Sequence, residues 1–406
     1  MKFANGAPGG LFASYERPPM KKTAEDRFSF SSRLLLPLIC WVSALFVAND
    51  ARAAFGDILA EYTFPASSLV MSPTEPLMYA TIPSQNSIAI INTNTLVVED
   101  TIFVGSGAAN LAFSPDGSKA YVANGLSNFV VVFDTQSRTV VDSFLLSEQP
   151  QDVVFGSLNR LWVLGASQIF QIDATTGTST GPSITDAFVY SGSLEISPDR
   201  NTLYYGDYGL SPSTMYKYDV SGTTPVQLLV TPFGTVGSNG QDLTLSHSGS
   251  SICYTNGSGN NNYDITKFRT SDFASLGAFV TGAYPTALAF SPDDLVAYAS
   301  VDTALGIKAF DANTFLLLGT MTGPDVANKL AVDSTGKYLF AGYSTYFGFL
   351  GTKVFDTGRS VPTPTPTPTP TASPSVTPRP RPTYPPRGIR PPRPTPPPRL
   401  TPAPRP

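Results

Sequence analysis

Histidine and cysteine are scarce in this chain of 406 residues, which holds one histidine, His247, and two cysteines, Cys40 and Cys253. A single histidine excludes metal centres built from several histidines, and it argues against a Ser-His-Asp triad. Cys40 lies in an apolar segment that we expect to be removed, so the mature chain can form neither an internal disulfide nor a cysteine metal cluster. We therefore expect no resident cofactor, with calcium as the alternative.

Charged residues are also few, at 14%, and no long segment shows the 3.6-residue periodicity of an amphipathic helix. Strand-forming and turn-forming residues fill the middle of the chain instead. This pattern predicts an all-β protein.

The first 53 residues have the pattern of an export signal. Four basic residues precede the apolar run LLLPLICWVSALFVA at positions 34–48, and the small residues ARA follow it. A basic flank, a short apolar run and an A-x-A site are typical of a secretory signal, and the run is too short for a membrane span. We predict a signal segment over residues 1–53, with Met20 as an alternative start, and a secreted, periplasmic or cell-surface location.

The C-terminal segment, residues 360–406, is rich in proline, threonine and arginine. It carries seven arginines and no acidic residue, and such a composition favours an extended polyproline conformation over a packed core. Residues 54–359 hold the remaining charge, 12 basic and 26 acidic residues. That excess of acid argues against nucleic acid as the partner. The tail could contact an anionic envelope polymer, or it could be a solvated spacer.

Between the two termini, the stretch LAFSPDGSKAYVAN returns in seven diverged copies. The copies are aligned on the position of the turn proline, which is occupied by Pro73, Pro115, Ser157, Pro198, His247, Pro292 and Ser334. The spacing of 41 to 49 residues matches four short strands and three turns, the unit of a radial repeat. In each copy a strand, a tight turn and a second strand form a hairpin, and two further strands follow.

We predict a seven-bladed β-propeller of four-stranded antiparallel blades over residues 54–359. The last copy supplies three strands, and residues 58–64 (ILAEYTF) resemble the fourth strands of other copies. We therefore expect the N-terminal strand to complete the seventh blade, which removes an exposed sheet edge. The alternative is that residues 58–64 form a leader outside the ring.

The segments YVAN (121–124) and YTN (254–256), each after a turn of the S-P-D-G type, resemble the YVTN-family β-propeller repeats of secreted and surface-layer proteins. This resemblance covers residues 58–357. It implies an interaction or scaffold protein of the cell envelope that binds a protein or glycan on the cell surface. The third and seventh copies depart most from the motif. We expect a monomer.

The loops between strands two and three, together with those between blades, should lie on one face of the propeller. We call it the loop face, and the opposite one, which carries the hairpin turns, the turn face. Long, aromatic-rich insertions fall on the loop face, where binding is common. The predicted binding surface consists of Tyr208, Tyr263, Asp264, Tyr343, Tyr346, Phe347 and Phe349. The alternative is that these rings cover gaps between blades.

The residues that begin the innermost strands should surround a central channel. The predicted channel residues are Asn110, Asp152, Asp242 and Lys329, and Glu195 lies within an innermost strand. Two carboxylates there could hold calcium or act as acid and base, as in propeller lactonases. Ion pairing across the channel is the interpretation we favour. The leading hypothesis is a non-catalytic binding protein, and the alternative is a lactonase-like hydrolase that uses Asp152, Glu195 and Asp242.

Overall fold

The computed structural model describes residues 53–359 except 186, 188, 259–262, 283, 302–305, 324–325 and 344–349, together with positions 393 and 395. The predicted signal segment and nearly all of the proline-rich tail lie outside the described residues. Strands and turns dominate the described part, in which Pro83–Gln85 form a short 3-10 helix.

The first strand, β1, spans Ile58–Tyr62. Blade one contains β2 (Ser68–Met71), β3 (Leu77–Ile82), β4 (Ser87–Asn92) and β5 (Val97–Phe103). Blade two contains β6 (Ala108–Phe113), β7 (Lys119–Asn124), β8 (Phe129–Asp134) and β9 (Thr139–Leu145). Blade three contains β10 (Asp152–Phe155), β11 (Arg160–Leu164) and β12 (Ile169–Asp173).

Blade four contains β13 (Gly192–Ile196), β14 (Thr202–Asp207), β15 (Met215–Asp219) and β16 (Val226–Val230). Blade five contains β17 (Ser238–Leu245), β18 (Ser251–Ser258), β19 (Ile265–Arg269) and β20 (Ser275–Phe279). Blade six contains β21 (Pro285–Phe290), β22 (Val296–Val301), β23 (Gly306–Asp311) and β24 (Leu317–Thr322). Blade seven contains β25 (Lys329–Val332), β26 (Tyr338–Tyr343) and β27 (Gly351–Asp356).

The ring is closed by the N-terminal strand, as the sequence predicted. β1 pairs antiparallel with β27, and Tyr62 lies opposite Thr352. The Thr352 hydroxyl donates to the carbonyl of Phe64 at 2.8 Å, and the Lys353 ammonium pairs with Glu61 at 2.5 Å. The first and last parts of the domain therefore form one sheet, and the seven-bladed propeller fold is confirmed.

Blade three differs from the other six in its outer position. Instead of a regular fourth strand, it has two isolated bridges, Ile172 to Ser179 and Ile169 to Ile184. Between these bridges lie Gly181 and Pro182, and proline has no N–H to donate to a strand ladder. The local sequence thus explains why the outer strand is interrupted.

The core consists of apolar clusters that lie between neighbouring blades. One cluster packs Tyr121 of blade two against Phe155 of blade three, and another packs Phe340 of blade seven against Leu69 of blade one. The inner strands are buried on both faces, which is why β3 and β26 read as nearly continuous apolar runs. Each blade covers its neighbour, because a single blade could not exclude water from its apolar faces.

The hairpin turns owe their geometry to the serine and aspartate of the repeat. The Ser114 hydroxyl donates to the Asp116 carboxylate at 2.6 Å, and it accepts the N–H of Lys119 at 3.0 Å. Gly117 has φ of +70°, a conformation that suits glycine. These bonds fix the inner hairpin of blade two, and Ser197 with Asp199 and Ser291 with Asp293 form the same contact in blades four and six.

Candidate functional site

The central channel is lined by one polar residue from almost every innermost strand. Residues at equivalent places in these strands share a direction, because side chains alternate along a strand. At the loop-face end, the channel wall contains Ser68, Asn110, Asp152, Ser193, Asp242 and Lys329. We call these six residues the channel girdle. The four channel residues chosen from the sequence all belong to it.

Asp152 joins blade three to the blades on both sides. One carboxylate oxygen accepts the amide of Asn110 in blade two and the N–H of Val153. The other accepts the N–H of Leu194 in blade four at 2.8 Å and the hydroxyl of Ser193 at 3.2 Å. Burial raises the pKa of Asp152, while these donors oppose that shift. Four donors around one carboxyl group favour its ionised form.

Asp242 performs the same role further around the ring. One of its oxygens accepts the N–H of Leu288 in blade six and the hydroxyl of Thr244, both at 3.2 Å. The other accepts the ammonium of Lys329 in blade seven at 3.0 Å. Burial alone would lower the pKa of Lys329, but Asp242, Glu195 and Asp152 together raise it. The girdle carboxylates therefore hold neighbouring blades in register.

The girdle separates two cavities along the channel axis. The loop-side cavity, of about 200 Å³, is lined by the girdle together with Gln151, Tyr208 and Gln241. The turn-side cavity, of about 410 Å³, is lined by the rest of the innermost strands together with Ser68, Asn110, Ser193 and Lys329 of the girdle. Most of the residues that line it are apolar, and Glu195 is the only carboxylic acid among those that the structure describes.

Glu195 occupies the middle of β13, where equivalent strands place Val70, Ala112 and Val154. Burial raises the pKa of the Glu195 carboxyl to about 8; Lys329 opposes this, whereas Asp242 and Asp152 add to it. Glu195 is half-buried and lines this cavity. A carboxyl group with such a pKa carries its proton at neutral pH.

The three carboxylic acids of the hydrolase hypothesis do not line a common cavity. Asp152 and Asp242 line the loop-side cavity, whereas Glu195 lines the turn-side cavity. The carboxylate oxygens of Asp152 and Asp242 are also occupied by hydrogen bonds between blades. This arrangement supports the interpretation of the girdle as a structural ion-pair network more than an acid–base pair.

A second recess adjoins the channel mouth on the loop face. It measures about 500 Å³ and is lined by Gln151, Tyr190, Ser191, Tyr208, Gly209, Gly240 and Gln241. We call it the blade-four recess. Tyr190 is 60% exposed, and Tyr208 is half-buried where the recess meets the channel. Burial, with Asp242 nearby, raises the pKa of Tyr208 well above its usual value.

The recess is built by two insertions that bond to each other. In the loop after β14, Leu210 accepts the N–H of Asn239 at 2.6 Å, and the Ser213 hydroxyl accepts the N–H of Gly240 at 2.9 Å. Gly209 donates in turn to the carbonyl of Gly240. The Asp207 carboxylate accepts the N–H of Thr214 at 2.8 Å, and burial raises its pKa to about 6. Both loops are thereby fixed before any ligand arrives.

Sequence reasoning identified Tyr208 but missed Tyr190, Gln151 and Gln241. Tyr190 follows the interrupted outer strand of blade three, Gln151 precedes the innermost strand of that blade, and Gln241 lies within β17 just before Asp242. Both glutamines stand immediately before a girdle residue in the sequence, and this position was the signal that could have identified them. Gln151 donates to the carbonyls of Gly165 and Tyr190, both at 2.9 Å, so its side chain supports the recess wall.

Of the other residues of the predicted binding surface, those that the structure describes do not lie together on one surface. The prediction that Tyr343 projects from a loop is wrong, because Tyr343 ends β26 and is fully buried between blades six and seven. Tyr346, Phe347 and Phe349 lie outside the described residues. Tyr263 packs on Tyr284 with ring centroids 5.3 Å apart, and burial raises the pKa of the adjacent Asp264. Neither Tyr263 nor Asp264 lines the blade-four recess.

Within residues 53–359, gaps excepted, no group of three or more histidine, cysteine, aspartate or glutamate side chains is arranged to hold a metal ion. In the same part of the chain, no helix has the length and apolar character needed to cross a membrane. Cys253 is fully buried in β18, and burial raises the pKa of its thiol.

Comparison with family models and with curated proteins found no match to this chain. Solved structures do match. Hydrazine synthase of Kuenenia stuttgartiensis is 19% identical with a TM-score of 0.61, over 73% of this chain and 97% of that one. The protein U3-55K is 13% identical with a TM-score of 0.61, over 74% and 98%. At such low identity these likenesses support the β-propeller fold and carry no inference about activity.

Proposed function

We propose that this protein is a binding protein of the cell envelope, and that the blade-four recess is its ligand site. The single observation that carries the proposal is the bonding between the two loop-face insertions, which fixes a recess beside the channel mouth. Binding to a preformed site avoids the entropy cost of ordering loops. A scaffold of rigid blades that carries a fixed loop surface is typical of recognition modules.

The chemistry of the recess favours a neutral glycan. Two tyrosines offer ring surface and hydroxyl groups, and two glutamine side chains and exposed backbone offer hydrogen bonds. No charged side chain is among the residues that line it. The girdle charges nearby already have partners, since Asp242 pairs with Lys329 and Asp152 accepts hydrogen bonds from neutral donors, and the recess therefore does not need an ionic ligand.

The far side of the propeller suits attachment. The last residue before the predicted tail, Arg359, bonds to Asp293 in a hairpin turn of blade six, with one contact at 3.0 Å. The chain thus leaves the propeller on the turn face. If the signal segment directs export, a basic tail on this side would tether the protein and leave the loop face open. Export and tethering are parts of the proposal.

A glycan array probed with the purified full chain tests the proposal. We expect a defined group of glycans to bind, and Tyr190→Ala to weaken that binding by about tenfold, which corresponds to about 1.4 kcal/mol. Tyr284→Ala is the matched control, because Tyr284 is an exposed tyrosine outside the recess. Equal losses in both variants would refute the recess as the site. If peptides bind in place of glycans, the recess remains the proposed site and the proposed ligand class changes to peptides.

A further inference from the structure

The channel contains more acid than base. Three carboxylic acids, Asp152, Glu195 and Asp242, influence one another there together with a single ammonium, that of Lys329. Lys329 pairs with Asp242, and Asp152 is satisfied by neutral donors. Lys329 also acts on Glu195, but it is shared with Asp242, so the three acids outnumber the one base and the electrostatic potential around Glu195 is negative when Asp152 is ionised.

Glu195 is also the acid with the fewest partners. The N–H of Leu245 acts on its carboxyl group, and no side chain in the described part of the fold donates a hydrogen bond to it. Around it stand small or aliphatic residues at the equivalent places of the other blades: Val70, Ala112, Val154, Ala289 and Ala331, with Thr244 beside them. Glu195 is thus the only carboxylic acid among the described residues that line this mostly apolar cavity, whose basic residues are Lys329 at the girdle and Arg200 and His247 at the turns.

Towards the turn face the cavity is bordered by larger apolar side chains, namely Met71, Phe113, Phe155, Ile196, Leu245, Phe290 and Val332. Arg200 and His247 lie beyond them in the hairpin turns, and His247 is exposed and pairs with Asp294 at 3.1 Å. The charged groups that act on Glu195 are Lys329, Asp242 and Asp152, and neither turn residue is among them.

We propose that the turn-side cavity binds small organic ammonium ions, with the ammonium on the Glu195 carboxylate and the hydrocarbon body against the apolar wall. An anion would find no unpaired cation in the girdle, because Lys329 already pairs with Asp242. A calcium ion needs six to eight oxygen ligands, and the wall around Glu195 supplies far fewer. An amine with an aliphatic body satisfies both the charge and the apolar surface.

Binding involves one proton and no covalent change. Below a pH of about 8, Glu195 carries a proton in the free protein. A bound ammonium favours the carboxylate, so that proton passes to the solvent as the ion pair forms. Affinity should therefore rise by about tenfold for each pH unit up to the pKa of Glu195 and level off above it.

Isothermal titration calorimetry of the full chain with hexylammonium chloride tests this proposal. Measurements at pH 6.5 in two buffers of different ionisation enthalpy count the protons released, and we expect about one. Hexan-1-ol and hexanoate have the same body without the positive charge, and both should bind at least tenfold more weakly. Hexylammonium keeps its charge over this range, because alkyl amines titrate near pH 10.

Glu195→Gln should weaken hexylammonium binding by about tenfold or more and abolish the proton release. The matched control is Glu75→Gln, which removes an exposed acid from the turn face and should change neither quantity. Unchanged binding in Glu195→Gln, or hexanoate binding as tightly as hexylammonium, would overturn the proposal. Tyr190→Ala should leave amine binding intact, so the outcome is independent of the glycan site.

Discussion

The two halves of the channel are made by the same innermost strands and have opposite characters. On the loop side, the girdle residues bond to one another and to the backbone of the next blade, so their charges serve the architecture. On the turn side, two residues further along the strand in blade four, Glu195 faces an apolar cavity with few partners. Position along a strand thus decides whether a buried acid acts as a blade-to-blade contact or as a free group.

This difference indicates whether a buried acid is available to a ligand or is needed for the stability of the fold. An acid whose oxygens are occupied by backbone N–H groups has little capacity left for a ligand, and its removal should damage the fold. An acid with few such donors costs stability when ionised, and its removal should cost the fold little. Variants of Asp152 and Glu195 should therefore behave in opposite ways.

The largest expected effect is that of Asp152→Ala. It leaves four buried or half-buried donors without an acceptor, at about 1–3 kcal/mol each, so we expect a loss of at least about 4 kcal/mol in the free energy of unfolding. Urea denaturation measures the loss. Asp152→Asn keeps the size of the side chain and should cost less, since one oxygen remains. A loss below about 1 kcal/mol in the alanine variant would contradict the structural role of the girdle.

Glu195→Gln should have the opposite sign and depend on pH. The folded pKa of Glu195, about 8, lies above its ordinary value. Between those two values the folded chain holds a proton that the unfolded chain has released, so stability falls as pH rises. The slope is at most about 1.4 kcal/mol per pH unit. The variant lacks this slope, and its advantage should grow from pH 5 to pH 8.

Urea midpoints of both proteins at pH 5, 7 and 9 check this dependence, with Glu75→Gln as the exposed-acid control. Parallel curves for Glu195→Gln and the parent chain would show that Glu195 titrates normally. That result would place its carboxyl group in solvent and remove the contrast between the two halves.

The smallest effect should come from Ser68→Ala, at the end of the girdle. The Ser68 hydroxyl donates to Asn110 Oδ1 at 2.5 Å, and that oxygen still accepts the N–H of Leu111 at 2.8 Å in the variant. One neutral hydrogen bond is lost and no buried group is orphaned, so we expect a cost of about 1 kcal/mol. A cost as large as that of Asp152→Ala would mean that the girdle acts as one cooperative network.

The repeat made the fold predictable in unusual detail. Its period gave the number of blades, and the missing fourth strand of the last copy pointed to residues 58–64, which pair with β27. The interrupted outer strand of blade three was not foreseen, although Gly181 and Pro182 signalled it. Tyr343 was misplaced because a strand that ends in an aromatic residue looks, in sequence, like the start of an aromatic loop.

The candidate sites were less predictable than the fold. The alignment identified which residues begin each innermost strand, but it could not tell that Asp152 and Asp242 would bond to backbone N–H groups of the following blade. Nor could it join Tyr190 to Tyr208, which come from different loops. Such contacts link residues about 20 to 90 positions apart, and no local pattern specifies them.

By itself the sequence determined the architecture, because strand periodicity, turn chemistry and the spacing of copies are local properties that recur seven times. Only the tertiary structure decided which acids are satisfied and which one faces an apolar cavity. The reason is physical: the pKa and availability of a buried carboxyl group depend on the donors and the solvent around it. Those surroundings arise only when seven blades meet around one axis.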